Sequence, residues 1–113
     1  LEIGGVPPFW EDKLFGDAGE VIAVDIGDVT LEGLHPCARC VVPARNPDTG
    51  AETPNFRQRF IEHRRDTRPS WTAGDRYDHD FRAMVTARVP DPAVGRTVAV
   101  DDPVRIRGSR KAQ

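Results

Sequence analysis

Few features of membrane-spanning or disulfide-stabilised proteins are present in this sequence. Its 113 residues include only two cysteines, too few for a disulfide scaffold. The longest unbroken apolar run covers residues 21–24, whereas a spanning helix needs about 20 apolar residues. No basic segment followed by an apolar core opens the chain, so no signal peptide, no membrane association and a cytoplasmic location are predicted. The chain begins with Leu1 rather than Met, from which we expect a processed or trimmed chain.

An excess of positive charge is also lacking, since 16 basic residues face 18 acidic ones and the net charge is −2. This balance argues against a nucleic-acid partner, because nucleic-acid-binding domains are usually basic. The charge is nevertheless uneven: residues 1–32 hold eight acids and one lysine, and residues 39–76 hold eight arginines and five acids. An arginine-rich middle fits an anionic ligand, because guanidinium groups match phosphate and carboxylate geometry. A simple compositional preference for arginine over lysine is the alternative.

Hydrophobic alternation and turn residues predict a mainly β domain. Strands are expected at residues 20–26, 29–35, 39–44, 81–89, 97–100 and 104–107, with a hairpin turn at Gly27-Asp28 and a frayed tail over 108–113. Residues 46–50 are dense in turn formers, and the spacing of apolar residues predicts one helix over 54–65. Several short strands and one helix at 113 residues indicate a single domain, most simply a β-barrel with one or two short helices.

Aromatic residues in the two long loops are expected to anchor them. Phe9 and Trp10 are predicted to pack in the core, and Trp71 is predicted to anchor the loop over residues 66–80. The two acids that follow Trp10, Glu11 and Asp12, are expected to cap a turn or to pair with an arginine.

The two cysteines form the local pattern Cys37-Ala-Arg-Cys40. A thioredoxin-like redox pair would open a helix in a βαβ unit, whereas this pair lies between strand-like segments. A zinc site would need two further ligands, for which the sequence offers scattered histidines: His35, His63 and His79. Two incidental thiols are the remaining interpretation. The pair alone leaves these alternatives open.

Residues 35–50, HPCARCVVPARNPDTG, closely resemble the signature of the MOSC domain, the C-terminal module of molybdenum cofactor sulfurases. That signature is Cys-x-Arg-Cys, a short apolar strand, and Asp-Pro-x-Thr-Gly, for which this chain has Asn46 in the first position. The likeness extends from about residue 7 to residue 106. It includes PFWED at residues 8–12, Arg64 after the helix and DPV at residues 102–104.

The resemblance implies a MOSC-type β-barrel that binds molybdenum cofactor (molybdopterin). In amidoxime-reducing relatives the second cysteine of the motif binds molybdenum, which corresponds to Cys40. Arg39 would contact the anionic pterin phosphate, and the backbone at Ala38 and Arg39 would face the pterin. Such relatives reduce N-hydroxylated compounds with electrons from an electron-transfer partner protein. The sulfurase branch instead carries sulfur or cofactor, received from a pyridoxal-phosphate domain that these 113 residues do not contain.

Departures from the family pattern define the alternative functions. The family's Arg-x-Asn element and earlier barrel strands would precede Leu1, so we expect a single MOSC-like domain over residues 1–113 without its N-terminal strands. Arg82 and Asp101 stand where glycines are common in the family. A non-catalytic MOSC-like binding module and a structural zinc-binding Cys-x-x-Cys module are therefore the alternatives. Open strand edges in an incomplete barrel would favour pairing with another chain, and the oligomeric state is left open.

Overall fold

The computed structural model describes residues 1–112, which fold into four β-strands and one α-helix. The elements are β1 (Glu20–Ile26), β2 (Val29–Ala38), α1 (Phe56–Thr67), β3 (Arg82–Arg88) and β4 (Val104–Lys111). Short 3₁₀ turns occupy Trp10–Leu14, Val42–Ala44, Gly74–Arg76 and Asp91–Ala93. The predicted mainly β class is confirmed at this level.

The strands form one antiparallel sheet in the order β3-β2-β1-β4. β1 and β2 make a hairpin through Gly27 and Asp28, and Gly27 adopts φ 58°, a left-handed conformation that suits glycine. The predicted strand over 20–26 and the hairpin turn are therefore confirmed. The edge strands β3 and β4 do not pair with each other, so among the described residues the sheet is open.

One face of the sheet packs against the 3₁₀ turn Trp10–Leu14. Gly33 pairs with Ile22, and a Cβ atom on Gly33 would lie 1.7 Å from the backbone oxygen of Leu14. The turn therefore approaches β2 at a distance that only glycine permits. The buried apolar residues of the core are Leu14, Phe15, Val21, Ile22, Val24, Val29, Phe81 and Ala93.

The opposite face carries charge pairs that join neighbouring strands. Asp25 accepts a hydrogen bond of 2.6 Å from Thr30 Oγ1, and Arg105 Nη2 lies 3.4 Å from its carboxylate. The Thr30 bond, followed by the charges of Arg107 and Arg105, holds the pKa of Asp25 below its usual value.

The buried Glu32 carboxylate on β2 links both edges of the sheet. It binds Arg110 of β4 and Arg88 of β3. The hydrogen bond from Arg110, followed by that from Arg88, lowers the pKa of Glu32 below the ordinary glutamate value. The carboxylate therefore stays ionised and ties the two outer strands to the centre of the sheet.

Two strand predictions are wrong, and β4 is longer than predicted. Residues 39–44 leave the sheet and form the 3₁₀ turn Val42–Ala44, where Pro43 has no N–H for a strand ladder. Residues 97–100 instead lead into a turn in which Asp102 N donates to Ala99 O at 3.1 Å. β4 continues to Lys111, so the expected fraying from residue 108 is wrong as far as that residue, and Gln113 lies outside the described residues.

The remaining predicted elements are close to their positions in the sequence. α1 lies two residues later than the predicted helix, and β3 agrees with the predicted strand over 81–89. Residues 46–50 form a loop, as predicted. Within residues 1–112, α1 is the single α-helix and is neither long enough nor apolar enough to cross a bilayer.

Candidate functional site

The end of β2 places the Cys-x-x-Cys pattern at the margin of the sheet. The pairing of β2 with β3 is irregular between Pro36 and Ala38, and Pro36 itself is fully buried. The Arg39 N–H then donates to the carbonyl of Phe81, the residue before β3, at 2.9 Å. Cys40, the next residue, is a free and exposed thiol on the segment that leaves the sheet.

A compact turn follows and returns the chain toward the helix. The side chain of Asn46 accepts hydrogen bonds from the N–H groups of Asp48 at 2.8 Å and Thr49 at 3.1 Å. The Gly50 N–H donates to the Asn46 carbonyl at 2.8 Å, with Gly50 at φ 74°. Asn46 thus makes the bonds that an aspartate would make in this Asx turn. The shape of the turn depends on local hydrogen bonds, and its side chains are exposed.

Cys40 lies at a groove of about 660 Å³ between this segment and α1. Phe56, Ile61 and Phe81 supply apolar surface, and the rings of Phe56 and Phe81 meet edge-on at 6.5 Å. The groove-lining residues are Arg39, Cys40, Val41, Ala44, Glu52, Thr53, Asn55, Phe56, Arg57, Gln58, Ile61, Glu62, Arg65 and Phe81. An aromatic floor with a thiol and polar groups around it is the general form of a small-molecule site.

Three arginines line the groove together with two glutamates, which leaves one net positive charge. The guanidinium of Arg57 stacks over the Phe81 ring with its carbon 5.3 Å from the centroid. Arg65 makes a weak, exposed ion pair with Asp66 at 3.6 Å. The Phe81 ring does not neutralise the charge of Arg57, and the ion pair of Arg65 with Asp66 is exposed to solvent. Both guanidinium groups are therefore available to an anionic group in the groove.

The sequence-predicted site residues are only partly brought together. Cys40 and Arg39 both line the groove, whereas Ala38 is exposed and is not among the lining residues. Arg39 Nη1 lies 3.6 Å from the sulfur of Cys37, so its guanidinium contacts the first cysteine of the pattern. The half-buried Cys37 is therefore engaged by Arg39, while Cys40 faces the groove and solvent.

The histidines proposed as zinc ligands lie in separate parts of the fold. His35 is exposed on β2, and His63 is exposed on α1. His79 accepts the Phe81 N–H at 3.2 Å through Nδ1 and thereby takes part in the loop before β3. Within residues 1–112 no three His, Cys, Asp or Glu side chains come together in a way that could hold a metal ion.

Behind the groove, a buried ion pair fixes α1 to the N-terminal turn. Arg64 Nη2 lies 2.7 and 2.6 Å from the two carboxylate oxygens of Asp12, and both side chains are at most 2% exposed. The Phe9 ring covers the guanidinium, whose carbon lies 3.7 Å from the centroid. The predicted pairing of Asp12 with an arginine is confirmed, and Phe9 packs on that arginine.

Residues of the 68–80 loop complete this network, and sequence reasoning missed them. Thr72 Oγ1 donates to Asp12 at 2.9 Å, and the Tyr77 hydroxyl lies 2.6 Å from Arg64 Nη2 and 3.1 Å from Asp12 Oδ1. Burial and the neighbouring Asp12 carboxylate raise the pKa of Tyr77 well above its usual value. Trp71, the predicted anchor, is 48% exposed, and Lys13 Nζ lies 4.7 Å from the centroid of its ring. Tyr77 is the one signal available in the sequence, because it is the single tyrosine of the chain.

Comparison with known proteins adds no relative. No protein-family model matches the chain, and neither the curated proteins nor the solved structures contain a significant match.

Proposed function

We propose that this chain is a MOSC-type module that binds molybdenum cofactor, with the Cys40 thiolate as the ligand for molybdenum. The observation that carries the proposal is the position of Cys40, a free and exposed thiol on a groove that arginines also line. The likeness of residues 35–50 to the MOSC signature supports the same assignment of Cys40 as the molybdenum ligand.

The residues of the groove fit this cofactor by their chemistry. A soft thiolate suits molybdenum in a sulfur-rich dithiolene environment. One protein thiolate is enough when the pterin supplies the dithiolene sulfurs, so a cluster of several protein ligands is not required. Arg57 and Arg65 match the geometry of a phosphate, and the ring of Phe56 offers apolar surface to a flat heterocycle.

Each residue of the groove would have a distinct role in binding the cofactor. Cys40 would hold the metal, Arg57 and Arg65 would bind the pterin phosphate, and Phe56 and Phe81 would exclude water from one side of the groove. When bound, the cofactor supplies two electrons, received from an electron-transfer protein, to convert an N-hydroxylated compound and two protons to the reduced compound and water. Arg39, which contacts Cys37, would orient the backbone that leads into Cys40.

A carrier function is the second candidate, and the exposure of Cys40 favours it. An exposed thiol is open to a donor protein, so the same sulfur could accept cofactor or sulfur and pass it on. The finer fold assignment, a MOSC-type β-barrel, belongs to the same proposal. Its support is the open sheet with edge strands β3 and β4, which further strands could extend toward closure.

Metal content per chain tests the proposal. The protein is purified under reducing conditions from a host that makes molybdenum cofactor, and molybdenum, zinc and pterin are measured together. We expect about one molybdenum and one pterin per chain, lost in Cys40→Ser and retained in Cys37→Ser. Because Cys40 is exposed, its replacement should leave thermal unfolding unchanged.

A second pair of variants tests the arginines of the groove. Arg65→Ala should lower pterin content several-fold, whereas Arg59→Ala, on the same helix but outside the groove lining, should leave it unchanged. Zinc near one per chain, lost equally with either cysteine, would overturn the proposal in favour of a structural zinc module. Molybdenum bound without turnover of N-hydroxylated compounds would support the carrier function.

A further inference from the structure

The groove contains charges of both signs that do not neutralise each other. Two glutamates, Glu52 and Glu62, line it together with three arginines. Within residues 1–112 neither glutamate forms an ion pair. Carboxylates and guanidinium groups that share a groove without pairing leave both signs of charge to a ligand. The groove therefore fits a ligand that has an anionic group at one end and hydrogen-bond donors at the other.

Glu62 shows this most clearly, because the arginine next to it on the helix pairs elsewhere. Arg65 lies three residues further along α1, a spacing at which opposite charges commonly pair. Arg65 Nε is instead 3.6 Å from Asp66. Among the described residues, the Glu62 carboxylate accepts a single side-chain hydrogen bond, from Gln58 Nε2 to Oε1 at 3.4 Å. Most of its acceptor capacity, including that of Oε2, is therefore left for a ligand.

Gln58 and Glu62 lie one helical turn apart, and both line the groove. Gln58 Nε2 carries a second hydrogen that the bond to Glu62 does not use. From Gln58 toward Glu62, the pair presents one donor, Nε2, followed by two acceptors, Oε1 and Oε2 of the carboxylate. Such a row is complementary to a ligand edge that offers one acceptor followed by two donors.

A 2-amino-4-oxopyrimidine ring carries that complementary row on one edge. Its O4 atom accepts a hydrogen bond, whereas its N3–H and its 2-amino group donate. Pterins and guanine share this edge, and a carboxylate can accept both N–H groups at once, in the way it binds a guanidinium group. A lumazine ring has an oxygen in place of the 2-amino group and would bring an acceptor against the carboxylate.

We propose that Gln58 and Glu62 recognise the 2-amino-4-oxopyrimidine edge of the ligand that occupies the groove. The inference rests on the proposed function, because the pterin of molybdenum cofactor has this edge. Glu62 accepts from N3–H and from the 2-amino group, and Gln58 donates to O4. The arginines remain for the phosphate. Glu62 thereby selects ligands that carry the 2-amino group, since a site built to accept a hydrogen bond discriminates against an analogue that cannot donate it.

A pair of matched ligands tests this recognition. Neopterin is compared with the corresponding lumazine, which differs by an oxygen in place of the 2-amino group. The 113-residue chain is produced in a host that makes no molybdenum cofactor, and isothermal titration calorimetry gives both dissociation constants. We expect neopterin to bind at least tenfold more tightly, because the lumazine leaves one carboxylate oxygen facing an acceptor.

Three variants distinguish recognition of the edge from a general effect on the groove. Glu62→Gln should weaken neopterin binding about tenfold and reverse the preference, because its new amide N–H meets a ring donor in neopterin and an oxygen in the lumazine. Gln58→Ala should weaken both ligands equally, since both have O4. Asp66→Asn, an exposed position on the same helix outside the groove lining, is the control and should bind both ligands as the unmodified protein does. Circular dichroism confirms that each variant is folded.

Equal affinities for the two ligands would overturn the proposal, and so would an unchanged preference in Glu62→Gln or the absence of neopterin binding. Guanosine monophosphate has the same edge. Binding of this nucleotide that is tighter than that of neopterin and is lost in Glu62→Gln would support recognition of the edge and identify a nucleotide as the occupant.

The metal measurement separates this inference from the proposed function. Neopterin binding that depends on Glu62, in a chain that takes up no molybdenum, would support the edge recognition and contradict the proposed function. Molybdenum that depends on Cys40, together with neopterin binding that Glu62→Gln does not change, would do the opposite.

Discussion

The buried pair of Asp12 and Arg64 makes a quantitative prediction about the support of the groove. Asp12→Ala removes the carboxylate and leaves a guanidinium that is 1% exposed without its counter-charge. Removing one partner of a buried pair costs about 3–5 kcal/mol. A domain of this size has only about 5–15 kcal/mol of stability, so the midpoint of thermal unfolding should fall by roughly 12–20 °C.

The free energy of unfolding is measured by urea denaturation, followed by the fluorescence of the two tryptophans. Asp66→Ala is the matched control, since it removes an exposed carboxylate that lies 3.6 Å from Arg65 on the same helix. Exposed pairs are worth about 0–1 kcal/mol, so this variant should remain within about 0.5 kcal/mol of the unmodified protein.

A double variant shows whether the uncompensated charge is the cause. Asp12→Ala with Arg64→Met removes both charges, and we expect it to be more stable than Asp12→Ala alone, because no buried cation is then left unpaired. A double variant whose loss equals the sum of the two single losses would refute this explanation. So would a loss below 1 kcal/mol for Asp12→Ala.

Two further predictions follow from close packing and from burial. Gly33→Ala should destabilise the protein by about 3 kcal/mol in the same urea assay, because its Cβ would lie 1.7 Å from the Leu14 oxygen. Gly74→Ala, with no atom within 4 Å, is the control, and equal stabilities would contradict the close approach. Tyr77 is the only tyrosine, so absorbance at 295 nm reports its ionisation alone. Its raised pKa predicts no tyrosinate signal in the folded protein at pH 10–11 and a signal near pH 10 in denaturant, with stability falling as the pH rises through this range. Titration of the folded protein near pH 10 would show that the hydroxyl is not buried as described.

Local patterns predicted the elements that local interactions stabilise. The alternation from residue 20 and the Gly27-Asp28 turn predicted the first hairpin, because both its strands and its turn are encoded within a few residues. The apolar spacing of Phe56 and Phe60 predicted α1 to within two residues. The sequence also indicated that Asp12 could pair with an arginine, but it did not show which of the arginines is the partner.

Long-range pairing decided what those patterns could not. β4 continues past residue 107 because β1 offers partners as far as Glu20, while a bulge at Ala23 absorbs the extra residue. Residues 39–44 are as apolar as a strand, but no strand lies beside them, and they form a turn at the groove instead. Tyr77 and Thr72 reach Asp12 only after the 68–80 loop folds across the turn Trp10–Leu14.

The candidate site shows the same division. The resemblance of residues 35–50 to the MOSC signature predicted Cys40 and Arg39 as site residues, because that signature lies within one short segment of the chain. Only the tertiary structure brought Arg57, Arg65 and Phe81 to the groove that Cys40 lines, and directed Arg39 toward Cys37. The physical reason is that a groove is formed by segments distant in sequence, whose approach depends on the contacts of Phe56 and Phe60 with Phe81 and on the buried pair of Asp12 and Arg64.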